Sequence, residues 1–253
     1  MASRDEIIAF CDQLLGIERF DDYGPNGLQV PGSAEVSVVA SGVTANLEFL
    51  RGAVDAGAQL ALVHHGLFFG DGPQALTEQA AERLRVVLGA GLSVAAYHLP
   101  LDAHPEIGNN ALLCERLGFE PDEREFGYAK GTPIGVIGRS ADGVSASDLF
   151  ERVAVELGRA PLVFDAGPEL VRTIGIVTGG GARNLAEAAA RGLDAFLTGE
   201  PAEQAMGEAR EAGVHFIAAG HYATETAGVQ ALGDRLAQRF DVEHRFVDVP
   251  NPV

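Results

Sequence analysis

Cysteine is scarce in this 253-residue chain: only Cys11 and Cys114 are present, and both lie in apolar patterns typical of helices. Such cysteines pack as small hydrophobic residues in a reducing compartment, which argues against a disulfide or a thiolate metal site. No apolar run is long enough to span a bilayer. The N-terminus, MASRDEIIAFCDQLLG, lacks the basic start and apolar run of a signal peptide. We therefore expect a soluble, cytoplasmic protein with no membrane partner.

Basic residues are also few, since 18 Lys and Arg stand against 36 Asp and Glu, which gives a formal charge of −18. This balance opposes binding to a phosphate backbone, so a nucleic-acid partner is not expected. The simplest role of the excess acid is solubility. Carboxylates gathered in a cleft would also attract metal cations.

Apolar runs rich in Val, Ile and Ala alternate with helical patterns along the chain. The runs of the first half are VSVVASGV (36–43), AQLALVHHG (58–66) and LSVAAYHLP (92–100), and those of the second half are PIGVIGR, VRTIGIVTGGG, AFLTGE and GVHFIAAGH. Continuous runs of this kind are typical of strands buried on both faces of a mostly parallel sheet. The sequence therefore predicts an α/β fold in layers.

The two halves resemble each other. SGVTANLEFLRGAVDAGAQLALVHHG aligns with TGGGARNLAEAAARGLDAFLTGE, and VAAYHLPLD aligns with FIAAGHYATE, so that His98 matches His221 and Asp102 matches Glu225. The charged stretch PDEREFGYAK separates the halves. We expect an internal duplication into two similar α/β domains, residues 1–125 and 126–253, with a metal cleft between them.

Three local features follow from turn and cap residues. Ser3 and Glu6 form the S-x-x-E pattern of a capping box, which predicts a helix from Ser3. The segment DDYGPNGLQVPG (21–32) reads as a turn-rich loop. Pro100 disfavours helical geometry at Leu99. A loop is therefore expected to bring His98 and Asp102 together.

Four of the seven histidines, His64, His65, His98 and His221, lie where an apolar run gives way to a loop. Ligands of open parallel sheets bind at the carboxyl ends of the strands, so these positions are expected to converge. Gly66 lets the chain leave the sheet directly after the His-His pair. Imidazoles combined with carboxylates suit Zn, Mn, Fe or Co, whereas Ca and Mg prefer oxygen ligands.

Alternatives exist for each of these motifs. A His-His pair at a strand end is often a packed or solvent-bridged pair, and His-acid pairs four residues apart are common on helix surfaces. The repetition of the His-acid pair in both halves, beside a third strand that ends in His-His, favours a metal site. Glu200 aligns with His65 and is either a further cleft acid or an exposed strand end. The glycines at 179–181 are expected mainly to form a tight strand-to-helix turn, with an anion cradle as the lesser alternative. The remaining histidines, His104, His215 and His244, are assigned structural roles.

The motifs NGLQV, VHHGLFF, YHLPLDAHPEIGNNALL and GHYATETAGVQAL occur in this order. Together they resemble the Nif-three-like, or YbgI-type, dinuclear metal proteins, a family often labelled type 2 GTP cyclohydrolase I. The resemblance implies two similar α/β domains, a toroidal homohexamer and two divalent metal ions per subunit. The metal ligands that it implies are His64, His65, Asp102, His221 and Glu225. Related proteins often carry a histidine where this chain has Gln204. This difference affects a contact around the metal ligands and not a ligand itself.

Two functions fit this site. The first is a metal-dependent hydrolase that acts on a nucleotide-like or other phosphorylated or cyclic-amidine small molecule. In that case Asp102 or Glu225 bridges the metals, and His98 is a candidate acid-base or outer-shell group. The second is a non-enzymatic protein, in which the metal pair serves a regulatory or interaction role.

Overall fold

The computed structural model describes residues 1–70 and 75–253, which form two compact units. The first unit contains residues 1–101 and 228–249, and the second contains residues 102–227 and 250–253. The boundary predicted after residue 125 differs from this arrangement, because residues 102–125 belong to the second unit. The C-terminal segment returns to the first unit because its strand Glu243–Phe246 pairs in parallel with Val38–Thr44.

The strands of the described residues are numbered in chain order. They are β1 (Ala2–Ser3), β2 (Gly27–Val30), β3 (Glu35–Val36), β4 (Val38–Thr44), β5 (Leu60–His65), β6 (Ser93–Ala96), β7 (Glu120–Glu123), β8 (Tyr128–Ala129), β9 (Thr132–Pro133), β10 (Val136–Ser145), β11 (Leu162–Phe164), β12 (Leu170–Val177), β13 (Ala195–Thr198), β14 (His215–Ala218) and β15 (Glu243–Phe246).

The α-helices are numbered in the same way. They are α1 (Arg4–Leu15), α2 (Leu47–Asp55), α3 (Glu78–Ala90), α4 (Leu99–Asp102), α5 (Asn109–Arg116), α6 (Ala146–Glu156), α7 (Leu185–Ala190), α8 (Ala205–Ala212), α9 (His221–Thr224) and α10 (Thr226–Phe240). Two short 3-10 helices cover Ile17–Arg19 and Ala182–Asn184. Across residues 1–70 and 75–253, no helix is both long and apolar enough to cross a lipid bilayer.

The sheet of the first unit has the strand order β15-β4-β5-β6-β2. Its first four strands are parallel, and β2 is an antiparallel edge strand. The prediction of a loop over residues 21–32 is therefore wrong at Gly27–Val30, where the chain pairs with β6 through an irregular register. Turn residues stand before this short strand and hide its pairing in the sequence. The core includes the buried Phe49, Leu50 and Val63.

The sheet of the second unit has the order β11-β14-β13-β12-β10-β7. Strands β12, β13 and β14 are parallel, whereas β10, β11 and β7 pair in antiparallel fashion at the two sides. The central strands bury Ile174, Leu197 and Ile217, as expected for a sheet covered on both faces. The α/β fold class predicted from the alternating apolar runs is confirmed.

Two predictions about helix ends have different outcomes. The Ser3 hydroxyl accepts a hydrogen bond from the Glu6 amide, which confirms the predicted start of α1. The loop predicted around Pro100 is wrong, because Leu99 and Pro100 open the short helix α4. Proline is tolerated in the first helical turn, where its missing N–H has no intrahelical acceptor to lose.

Candidate metal centre

Three imidazoles gather at one edge of the first unit's sheet. His64 and His65 end β5, and His98 follows the neighbouring strand β6. Strands β5 and β6 are parallel and in register at Val63 and Ala96, so their carboxyl ends meet. One ring nitrogen from each histidine lies within 4.8 Å of the others, close enough to hold a metal ion. The predicted convergence of these three histidines is therefore observed within this unit.

Hydrogen bonds fix the orientation of the two adjacent histidines. Nδ1 of the buried His64 lies 2.9 Å from the Tyr97 carbonyl oxygen. A carbonyl only accepts, so Nδ1 carries the proton and Nε2 carries the lone pair. Nδ1 of His65 lies 3.2 Å from the hydroxyl of Thr44, its partner across the β4–β5 pair. Such outer contacts are typical of histidines that bind metals through the other nitrogen.

His98 is held by the buried carboxylate of Asp22, which no sequence motif indicated. Asp22 Oδ1 lies 2.6 Å from His98 Nδ1, and the Asp22 side chain is 3% exposed. The carboxylate also accepts hydrogen bonds from the amides of Tyr23 and Leu99 and from the Asn26 side chain. Burial opposes ionisation, but the contact with His98 and the other donors outweigh it and hold the pKa of Asp22 below its usual value. An aspartate opening a Gly-Pro-Asn turn was the available signal.

The second unit brings His221, Glu225 and Glu200 together. His221 begins α9, so Glu225 follows one turn later, and its Oε2 lies 3.2 Å from His221 Nε2. Glu200, two residues after the end of β13, places Oε1 2.5 Å from His221 Nδ1. Burial lowers the pKa of His221, but Glu225 and Glu200 outweigh it and raise the pKa to about 9. Glu200, which the sequence left open as a cleft acid or an exposed strand end, is thus the partner of His221.

The glycine-rich turn after β12 packs directly against this pair. Gly179 has a φ of +65°, and a side chain there would place Cβ 2.2 Å from Glu225 Oε1 and 3.2 Å from His221 Nε2. Its amide donates to the Thr224 hydroxyl at 3.1 Å. The turn is therefore the tight strand-to-helix connection that the sequence predicted. Only glycine allows the backbone to approach the carboxylate this closely.

Asp102 is buried in the second unit and contacts Thr178, the residue directly before the three glycines. Its Oδ1 accepts a hydrogen bond from Asn109 at 2.8 Å and one from the Thr178 hydroxyl at 3.4 Å. The Asn110 side chain joins the Asp102 carbonyl to the Thr178 amide. These amides position the carboxylate, and neither asparagine was singled out from the sequence.

The other three histidines hold local structure. His104 Nδ1 accepts from the amides of Glu106 and Ile107. The ring nitrogens of His215 contact Gly167 and Pro168, and those of His244 contact Ser41 and Asp234. Gln204 stands directly before α8 without a side-chain cap hydrogen bond to it.

The residues present fit a divalent metal. The donor set is imidazole nitrogen and carboxylate oxygen, which suits Zn, Mn, Fe or Co. In His64, His65 and His221 an oxygen atom engages Nδ1, and the Gly179 backbone leaves room for no side chain beside Glu225. The chemistry of the donors therefore matches that of metal-binding groups whose ligands are oriented in advance.

Comparisons with known proteins identify the family and the fold. The family model Duf34/NIF3 (NGG1p interacting factor 3) matches residues 2–252. A Pseudomonas aeruginosa protein named "GTP cyclohydrolase 1 type 2 homolog" is 46% identical over 248 residues, covering 97% of each chain. The structure of the protein ybgI, described as of unknown function, has a TM-score of 0.94, 38% identity and full coverage of both chains. That of a Thermus thermophilus protein, TTHA1606, has a TM-score of 0.89 and 34% identity, again over both whole chains. Because the family model matches residues 2–252, this chain belongs to the Duf34/NIF3 family.

Proposed function

We propose that this protein is a metal-dependent hydrolase of a nucleotide-like or other phosphorylated or cyclic-amidine small molecule. Its ligands for two divalent ions are His64, His65, Asp102, His221 and Glu225. The observation that carries the proposal is a group of three imidazoles whose nitrogens lie within 4.8 Å of one another. Two of them belong to the proposed ligands His64 and His65, and the third belongs to His98, which is proposed to transfer protons beside the metals. The relatives' name, "GTP cyclohydrolase 1 type 2 homolog", supports a hydrolase by name alone. The toroidal homohexamer and the cytoplasmic location belong to the same proposal.

When bound, two divalent ions would polarise the attacked group and acidify a water molecule. The protein's own contribution is to orient the ligands before the substrate arrives. The Tyr97 carbonyl and the Glu200 carboxylate hold the rings of His64 and His221 through Nδ1. Fixed rings lose little entropy on binding, because their rotation is already restricted.

His98 is the residue that moves a proton in this proposal. The ionised Asp22 accepts a hydrogen bond from Nδ1 of His98, which leaves the lone pair of the neutral ring on Nε2. Nε2 can then take a proton from the attacking water and return it to the leaving group. Asp22 acts as a positioning residue, because it selects the tautomer and stabilises the protonated ring.

Turnover of GTP and of a broad panel of hydrolase substrates tests the proposal, with the metal-loaded protein compared with its variants. We expect His64→Ala to lose both bound metal and turnover. Asp22→Asn should keep the metal and lower kcat by about 10-fold to 100-fold, with a changed pH profile. His244→Gln is the matched control, because both nitrogens of His244 contact residues outside the imidazole group. Turnover that is unaffected by His64→Ala, or absent over the whole panel, would refute hydrolysis at this site.

A second candidate function is a regulatory or interaction role for the metal pair. It is favoured by the description of the matching family, NGG1p interacting factor 3, which refers to an interaction and not to a reaction. In that case metal removal should alter the assembly state in size-exclusion chromatography, while the substrate panel shows no turnover. A cobalt-substituted sample distinguishes the two functions, because exchangeable water in its coordination sphere favours the enzyme.

A further inference from the structure

A cavity of about 350 Å³ lies in the first unit, between the segment that follows β5 and the helix α3. Most of its lining is apolar, and it includes Leu67, Phe68, Phe69 and Leu84. Phe68 and Phe69 are 45% and 42% exposed, so two adjacent large rings form an exposed apolar patch beside the cavity. The volume lies within the range of small-molecule sites, about 300 to 1,000 Å³. It suits one or two fused rings.

Phe69 connects this cavity with the three imidazoles. Its ring centroid lies 4.9 Å from that of His98 and 5.5 Å from that of His65, in edge-to-face geometry. It also stacks on Tyr23 at 6.2 Å. These contacts fix the ring, so a flat molecule in the cavity would meet a pre-oriented aromatic surface at low entropic cost. A group attached to that molecule would reach the imidazoles within one ring width.

Arg83 gives the cavity a positive charge. It lines the wall together with Ala80 and Leu84 of α3. The adjacent Glu82 instead pairs with Arg51 and Arg85. Among the described residues, no carboxylate forms an ion pair with Arg83. A guanidinium beside an apolar wall, in a chain of net charge −18, favours an anionic group on the bound molecule.

We propose that this cavity is a substrate subsite that binds the flat aromatic ring of an anionic small molecule, with the ring against Phe68 and Phe69 and the anionic group on Arg83. The inference rests on the proposed hydrolase function and names the class of substrate for the same site. The aromatic ring lies in the cavity, and the group to be hydrolysed lies beside His98.

Fluorescence titration of the full-length protein tests this subsite with two naphthalene probes, the anionic 2-naphthalenesulfonate and the neutral 2-naphthalenemethanol. The chain contains no tryptophan, so the background is low. Both the metal-loaded and the metal-free protein are titrated, which separates the cavity from direct binding of the sulfonate to metal. We expect Arg83→Gln to weaken the sulfonate about tenfold, equivalent to about 1.4 kcal/mol, and to change the affinity for the neutral probe less than twofold. Arg85→Gln, on the same helix but outside the cavity, should change neither.

A second pair of variants tests the apolar wall. Ala80→Phe fills the cavity and should abolish binding of both probes, whereas Ala90→Phe, at the exposed end of α3, should bind them normally. Equal effects of Arg83→Gln and Arg85→Gln, or normal binding by a folded Ala80→Phe variant, would overturn the subsite. Turnover without this binding pattern refutes the subsite alone. The binding pattern without turnover refutes the hydrolase and leaves an aromatic-anion site.

Discussion

Raising the pH should destabilise the metal-free protein through His221. The pKa of this imidazole is about 9 in the folded state, against the ordinary 6.5. The folded protein therefore binds the proton more tightly than the unfolded chain does. This contribution to stability is fully present below about pH 6.5 and is lost as the pH rises through about 9. The difference between the two pKa values corresponds to about 3 kcal/mol in the free energy of unfolding.

Urea unfolding in the presence of a chelator measures this contribution at pH 6, 7.5 and 9.5. Wild-type protein should lose about 3 kcal/mol across the series relative to His221→Gln, which cannot titrate there. Across the same pH series Glu200→Gln should lose less free energy of unfolding than wild type does, because one of the two acids that raise the pKa of His221 is gone. Burial raises the pKa of both Cys11 and Cys114 to about 12, so both thiols also lower the stability above about pH 8.5. Wild type and His221→Gln share this contribution, so it cancels in the comparison between them.

With saturating divalent metal, the free energy of unfolding should instead increase with pH over the lower part of the range from pH 6 to 9.5. Metal binding requires a deprotonated imidazole and displaces the proton, so metal affinity rises with pH. An identical pH dependence in wild type and His221→Gln would refute the inference that Glu225 and Glu200 stabilise a protonated His221. So would a wild-type stability that increases from pH 6.5 to 9.5 without metal.

Three further predictions concern single side chains. Gly179→Ala should sharply reduce metal binding measured by calorimetry, because its Cβ would lie 2.2 Å from Glu225 Oε1 on a backbone with positive φ. Retention of wild-type affinity would contradict the close approach. Tyr97→Phe should lower the free energy of unfolding by about 1 to 3 kcal/mol, since it removes the 2.7 Å hydrogen bond to Asp12; an unchanged urea midpoint would count against it. Ser3→Ala should cost about 1 kcal/mol through loss of the α1 cap, whereas Ser3→Asp should restore the stability.

The sequence predicts the strands that carry the candidate ligands because their apolar runs are continuous. VHHG follows a run that can only be buried on both sides, and the structure ends β5 at His65 as expected. The same pattern locates His98 and His221 just after β6 and β14. A continuous apolar run that ends at a polar residue is sufficient for this step, because each strand end is a local property of the sequence.

Contacts between distant segments could not be predicted in this way. Asp22 and His98 are 76 residues apart, and the turn-rich segment around Asp22 contains no periodic signal. The observed units differ from the predicted division after residue 125 for a related reason. Strand β15 has few apolar residues, and its place beside β4 is set by pairing and not by composition. The loop predicted at Pro100 was wrong because the effect of proline depends on its position in a helical turn, and the sequence did not determine that position.

The expected duplication and the expected ligand set of five residues remain predictions, and metal content tests them most directly. Protein purified without chelator and reloaded with Zn, Mn, Fe or Co should contain two ions per subunit by plasma mass spectrometry. His64→Ala and His221→Ala should each reduce this number, while His244→Gln should retain it. A wild-type protein that binds no ion, or the same content in His64→Ala and His221→Ala as in wild type, would contradict a metal centre built from these histidines.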